Sequence, residues 1–219
     1  MSPQPLPPSS WGFDSSLWPD SDCVAIGANL EPSTIIAAYK TGAFPMPHDG
    51  ELLWWSPAER GVLEPGALRL TRSLRKSIRH FTITVDEDFA AVIDACADPA
   101  RPGAWIDSGM RAAYVRLHEL GWAHSVETRD ADGALVGGLY GLCLGRLFAG
   151  ESMFHRRTDA SKAALAGLVD LLDDGVERLI DVQWQTPHLA SLGVTSWPRE
   201  RYLEAILDLT GPPFPEIWR

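Results

Sequence analysis

A carboxylate and a carboxamide two residues apart on an apolar strand suit the handling of an amine, and Asp181-Val182-Gln183 follows Leu179-Ile180 in this way. The carboxylate can attract an ammonium or accept a proton, and the amide can fix orientation. On a regular strand residues i and i+2 share a face, so Asp181 and Gln183 are expected to touch one substrate together. The same pair could instead close a strand end and cap the turn behind it. A second acid, Glu151, interrupts the apolar run from Leu147 to Phe154, where an unpaired carboxylate is costly. Regular alternation sets Ala149, Glu151 and Met153 on one side and Phe148, Gly150 and Ser152 on the other. Glu151 is then either part of a site or a structural acid held by backbone amides. Trp54, Trp55 and Trp105 offer surfaces that could stack on a nucleobase or fill a core. Between Leu68 and His80 stand Arg69, Arg72, Arg75, Lys76 and Arg79 with no acid among them, a stripe suited to phosphate. No metal is expected, because His118, His124, His155 and His188 have no ligand spacing with one another or with Cys23, Cys96 and Cys143.

The elements that must hold these residues can be read from periodicity and punctuation. Pro3, Pro5, Pro7 and Pro8 impose an irregular arm, packed through Trp11, Phe13 and Trp18. A short helix is predicted over Pro32–Thr41 with Gly42 as its stop, then a loop at Phe44–Pro47. Leu52–Leu63 is predicted to be extended, broken at Pro57. Leu70, Leu74 and Ile78 share one face of a helix that turns the cations of the stripe to solvent. A strand at Ile83–Val85 leads to Asp86 as the N-cap of a helix carrying Phe89, Val92, Ile93 and Cys96, and Asp107 or Ser108 opens another. Ala123–Thr128, Ala134–Cys143 and Arg146–Phe154 predict a three-stranded meander, followed by a helix from Asp159 to Asp174, a strand at Leu179–Val182 and a last helix over Arg199–Leu209. The expected architecture is α+β, with a small N-terminal α/β domain over residues 1–64 and an acetyltransferase-like mixed sheet with helices over 65–219.

Bulk properties agree with a folded protein. The 219 residues are 45% hydrophobic and 22% charged, within the globular range. No apolar run reaches the ~18 residues that read as a membrane span, and Met1-Ser2-Pro3-Gln4-Pro5 does not look like an export signal, so no membrane partner and a cytoplasmic location are expected. Three cysteines without CxxC spacing fit a reducing compartment. A net charge of −10 argues against indiscriminate nucleic-acid binding and makes the basic stripe stand out.

Several blocks stand in one order between about Ala25 and Leu207: Gly42-Ala43-Phe44-Pro45, Trp54-Trp55-Ser56-Pro57 with Arg60, Trp105-Ile106, His118-Glu119-Leu120-Gly121, His124-Ser125-Val126-Glu127, Gly137-Gly138-Leu139-Tyr140-Gly141, Gly150-Glu151-Ser152-Met153-Phe154, Ala160-Ser161-Lys162 and Leu179-Ile180-Asp181-Val182-Gln183 with His188. In this order they resemble the leucyl/phenylalanyl-tRNA–protein transferases. The resemblance implies transfer of Leu or Phe, and less often Met, from aminoacyl-tRNA to the α-amine of proteins that begin with Arg or Lys, marking them for degradation. It also implies work without CoA, ATP or metal; no cofactor and a monomer are expected. Asp181 and Gln183 would act on the amine, Glu151 would lie in the active site, and Trp105 would help bind the aminoacyl-adenosine end. Leu139, Phe148 and Met153 would line or adjoin the side-chain pocket, while Arg72, Arg75, Lys76 and Arg79 would hold tRNA phosphates. Two departures from the family pattern are Met46, where some members have Trp, and Trp184-Gln185-Thr186-Pro187. Trp54 or Trp55 could replace the missing stacking surface.

The chemistry is consistent with this resemblance. An aminoacyl ester is already activated, so the protein chiefly has to position it. An α-amine with a pKa of about 7.7–8.0 is partly neutral near pH 7, and Asp181 polarising Gln183 would help carry off its proton. A CoA-dependent acyltransferase would want a glycine-bearing loop around pyrophosphate, and Arg156-Arg157-Thr158-Asp159-Ala160 has none. A non-catalytic RNA-binding module would leave Glu151 and Asp181 without a use.

Overall fold

The computed structural model describes residues 2–101 and 103–218. Its N-terminal part is a three-stranded antiparallel sheet in the order β1-β3-β2, formed by β1 (Cys23–Ile26), β2 (Phe44–His48) and β3 (Glu51–Trp55), with helix α1 (Pro32–Lys40) beside it. The loop expected at Phe44–Pro47 is strand β2. Pro45 and Pro47 cannot donate to a ladder, but β2 lies at the edge of this sheet, where missing donors are tolerated.

The second sheet has seven strands in the order β10-β4-β9-β8-β7-β6-β5. It comprises β4 (Glu59–Leu63), β5 (Thr82–Val85), β6 (Ala123–Arg129), β7 (Leu135–Leu144), β8 (Leu147–His155), β9 (Leu179–Gln183) and β10 (Thr195–Pro198). Every pairing is antiparallel except β8 with β9. The expected meander is β6-β7-β8. Strand β4, read in the sequence as the end of the N-terminal segment, sits inside this sheet between β9 and β10.

Helices cover both faces. One face packs on α3 (Phe89–Cys96) and α4 (Ser108–Glu119), and through Ile35, Tyr39 and Phe44 its core runs on into the N-terminal sheet. The other holds α5 (Ala160–Leu172) over Leu139, Phe148, Ile180 and Trp218. Small residues let α5 approach closely: a side chain at Gly137 would meet Ala160 Cβ at 2.6 Å. The basic stripe forms α2 (Arg72–Ile78), whose N-cap Thr71 accepts the Leu74 N–H, and α6 (Pro187–Ser191) and α7 (Arg199–Leu209) complete the chain's main helices. Asp107 caps α4 as expected. Asp86 does not cap α3; Asp88 occupies that position. Asp86 instead turns the chain out of β5 at φ 56° and accepts hydrogen bonds from His124 and the Ser125 N–H.

Two local irregularities open the sheet. Opposite β7, Tyr140 pairs with Ser152 and Gly141 with Gly150, so Glu151 is an extra residue in a bulge. The bulge reverses the alternation: Ala149 packs on the α3/α4 side, whereas Met153 packs on the α5 side. The shared face expected for Ala149, Glu151 and Met153 therefore does not exist. On the neighbouring strand, Gln183 has φ 60°, a left-handed conformation that stops β9. The parallel ladder between β8 and β9 ends at Ala149 and Asp181, although β8 runs on to His155. Beyond that point the two strands part, and a cleft lies between their C-terminal ends.

Candidate active site

The cleft has two chambers with a shared wall of Glu151, Val182, Gln183, Thr186 and Leu189. One, about 230 Å³, is walled by apolar side chains including Leu139, Met153, Leu165, Leu168 and Ile180. The other, about 270 Å³, is flanked by Phe44, Met46, Trp105 and Trp184. An apolar volume of this size holds a side chain such as Leu or Phe, and the flat walls next door suit a ring system.

Glu151 stands at the junction. Its Oε1 accepts a hydrogen bond from the Tyr39 hydroxyl at 2.5 Å and its Oε2 one from the Tyr114 hydroxyl at 2.9 Å. The two hydroxyls are themselves 3.0 Å apart. Burial pushes the Glu151 carboxyl up to about 7, against the two tyrosine hydrogen bonds that favour its ionised form. The same burial, with the Glu151 charge beside them, raises both tyrosines well above their ordinary range. A protonated Glu151 can close a ring of three hydrogen bonds with the tyrosines. An ionised one accepts a hydrogen bond from each hydroxyl and leaves the two tyrosine oxygens facing each other. The group can therefore hold or release a proton near neutral pH.

Asp181 does not share a face with Gln183. It is fully buried and saturated: Oδ1 accepts from Arg60 Nε at 2.8 Å and from the Gln183 backbone N–H at 2.9 Å, and Oδ2 accepts from Arg60 Nη2 at 2.6 Å and Tyr202 at 2.8 Å. Arg60 also donates to the Gly42 carbonyl and lies over the rings of Phe44 and Tyr202, tying the N-terminal sheet to the large one. Period-two geometry fails because the backbone at Gln183 is left-handed, and the Asp181 carboxylate holds that turn. Gln183 is buried, lines both chambers, and its side-chain Nε2 has no hydrogen-bond partner among the described residues. An unpaired buried amide costs free energy unless a ligand meets it.

The other candidates divide. Leu139 and Met153 line the apolar chamber and Trp105 the aromatic one. Phe148 lies one layer behind, stacked on Trp218. Trp54 is fully buried, giving its indole N–H to the Gly27 carbonyl and packing on Phe13, so no substrate can stack on it. Trp55 also lies off the cleft walls; it donates to the Met46 carbonyl and meets Trp184 edge-on. The added aromatic wall is Trp184, from the segment that departs from the family pattern. Arg72, Arg75, Lys76 and Arg79 are all exposed. Arg60, Tyr202, Tyr39 and Tyr114 were not among the expected site residues. A lone Arg in the apolar strand Arg60-Gly61-Val62-Leu63 was the available signal, because a buried guanidinium requires a carboxylate.

Comparison with known proteins settles the lineage. The family model for leucyl/phenylalanyl-tRNA protein transferase matches residues 62–207, and the model for the N-terminal domain of the same proteins matches residues 28–58. A leucyl/phenylalanyl-tRNA–protein transferase of Azoarcus sp. (strain BH72) is 50% identical over 89% of this chain and 85% of its own. Another, of Stutzerimonas stutzeri (strain A1501), is 47% identical over 94% and 93%. The chain belongs to the leucyl/phenylalanyl-tRNA–protein transferase family. It is an aminoacyl-tRNA-dependent aminoacyltransferase that acts on proteins. Among solved structures the likeness is weaker: L-PGS from Bacillus licheniformis aligns at 8% identity over 71% of this chain and 66% of that one, with a TM-score of 0.42. Within the transferase family fold, Phe44 and Met46 reach the aromatic chamber from the N-terminal sheet, and Tyr39 reaches Glu151 from the helix beside that sheet.

Proposed function

We propose that this chain transfers Leu or Phe, and less readily Met, from the 3′ end of tRNA to the α-amine of proteins that begin with Arg or Lys, creating a degradation signal. The transferred side chain fills the apolar chamber beside Leu139 and Met153, with Phe148 as its backing, and the terminal adenosine lies against Trp105 and Trp184. Gln183 orients the reacting groups through its unpaired amide. Asp181, closed off behind it, is a positioning residue that acts through the Gln183 backbone. Glu151, ionised, receives the proton that the attacking amine must lose and passes it to the ribose oxygen, which departs as a hydroxyl as the C–O bond breaks and the amide bond forms. The exposed stripe of Arg72, Arg75, Lys76 and Arg79 holds tRNA phosphates, and the acidic remainder of a chain with net charge −10 favours cationic acceptor termini. The protein works as a cytoplasmic monomer.

One observation carries this reading: an unpartnered buried amide and a carboxyl shifted to about 7 meet where an apolar chamber adjoins an aromatic one. The test is incubation with labelled leucyl-tRNA and peptides beginning with Arg, Lys or Ala. Label is expected on the Arg and Lys peptides only, and equal labelling of the Ala peptide would overturn the acceptor assignment. Preference for valyl- over leucyl-tRNA would overturn the pocket assignment, since one methylene of filled volume is worth about 1–3 kcal/mol.

A further inference from the structure

A cavity of about 360 Å³ adjoins the cleft, sharing Met153 and His188 with the apolar chamber and no residue with the aromatic one. The start of α5 contributes Ser161 and Lys162 to its lining. Ser161 is only 6% exposed, and its hydroxyl makes no hydrogen bond to any described residue. The hydroxyl is thus a donor left free to meet a ligand in the cavity. Asp159 stands at the N-cap of α5 without bonding its first turn, so the positive end of a 13-residue helix is left uncapped there. The charged groups on the wall are Arg101, Lys162 and the carboxylate of Asp159, with His155 and Thr158 beside them. Arg101 is held in place by donating to the carbonyls of Cys96 and Met153, and Lys162 Nζ lies 2.9 Å from Asp159 Oδ1. On the far side, α2 packs on α5 with Ser77 beside that same carboxylate. The cavity thus lies between the exposed cationic stripe and the chamber for the transferred side chain.

We propose that this cavity binds a phosphodiester of the donor RNA's 3′ strand, with Ser161 donating a hydrogen bond and Lys162 and Arg101 supplying positive charge. The inference rests on the reading of the cleft as the seat of an RNA-borne ester. A strand that leaves the cleft for the stripe on α2 passes the start of α5, and a phosphate there draws Lys162 from Asp159. Arg and Lys contacts to phosphate are charge-assisted and stronger than neutral hydrogen bonds.

Three leucylated donors test it: leucyl-adenosine without phosphate, a leucylated CCA trinucleotide, and leucyl-tRNA. In the double variant Ser161→Ala, Lys162→Ala, KM for the trinucleotide and for tRNA is expected to rise about tenfold, with leucyl-adenosine turnover unchanged. Lys162→Arg should restore most of the loss. The salt dependence of tRNA binding should flatten by about 0.7 in log-log slope, because one phosphate of a single strand is no longer neutralised. An equal loss on leucyl-adenosine would overturn the proposal, because the variants would then have damaged the chamber itself. Unchanged KM on all three donors would overturn it as well. Failure of the unaltered protein to use any leucylated donor would instead refute the reading of the cleft, and this proposal with it.

Discussion

Asp181 and Glu151 lie on adjacent strands of one sheet, and each is buried, yet they are built for opposite purposes. Asp181 faces Arg60, Tyr202 and a backbone N–H, with both oxygens filled, and it lines neither chamber. Glu151 has two tyrosine hydroxyls and no salt-bridge partner among the described residues, and its walls open to the cleft. The Arg60 guanidinium compensates one carboxylate with charge, so that group is a fixed strut. Only neutral donors meet the other, so its proton is close to balance at neutral pH. A compensating cation decides which buried acid is structural and which can exchange a proton.

The comparison breaks most visibly at Arg60. Arg60→Leu strands the Asp181 charge, and a loss of about 3–5 kcal/mol in stability is expected by urea unfolding. A loss below about 1 kcal/mol, as for an exposed pair, would erase the distinction. Gln183→Ala should cut kcat with leucyl-tRNA by about 10²–10³, the cost of removing one preorganised polar group, while tRNA affinity holds. If kcat is unaffected, the orphaned amide has no role in transfer.

Glu151→Gln probes the other carboxylate through pH. The folded pKa of about 7 exceeds the ordinary value of 4.5, so between those values the native state keeps a proton that the unfolded chain releases. The stability tied to this proton is fully present below pH 4.5 and is lost as pH rises through 7. The glutamine should therefore gain about 3 kcal/mol over wild type at pH 8 and little at pH 4, since a tenfold difference in proton affinity between the two states is about 1.36 kcal/mol. Equal differences at both pH values would remove Glu151 as the titrating group. The smallest effect belongs to Tyr114→Phe, which deletes one donor to the carboxylate. Because that hydrogen bond favours the ionised form, its loss should move the midpoint of the pH dependence upward, by up to about one pH unit. A downward move would contradict the geometry at Glu151.

Much of the fold could be read along the chain because its signals are local. The apolar period of Phe89, Val92, Ile93 and Cys96, the cap at Asp107 and the meander from Ala123 to Phe154 depend on near neighbours, and helices and strands formed there. Strand β2 is hidden in the sequence because Pro45 and Pro47 argue against a ladder until the strand is known to be an edge. Asp86 looks like a cap because a left-handed turn at a non-glycine residue leaves no trace in composition. At the site, Glu151 and Gln183 were legible as polar residues in apolar strands, and Arg60 left the same kind of signal, whereas Tyr39 and Tyr114 left none.

The residue types alone marked a carboxylate and an amide on one strand, an acid in an apolar strand and a cationic stripe, since each is a property of a short stretch. Tertiary structure decided which groups meet. The bulge at Glu151 and the left-handed turn at Gln183 reverse or end the alternation on which face assignments depend, and the partners come from far along the chain: Tyr39 from α1, Tyr114 from α4, and Arg60 from a strand inserted between β9 and β10. Hydrogen bonds and ion pairs act over a few ångströms in space, and distance along the sequence does not constrain them.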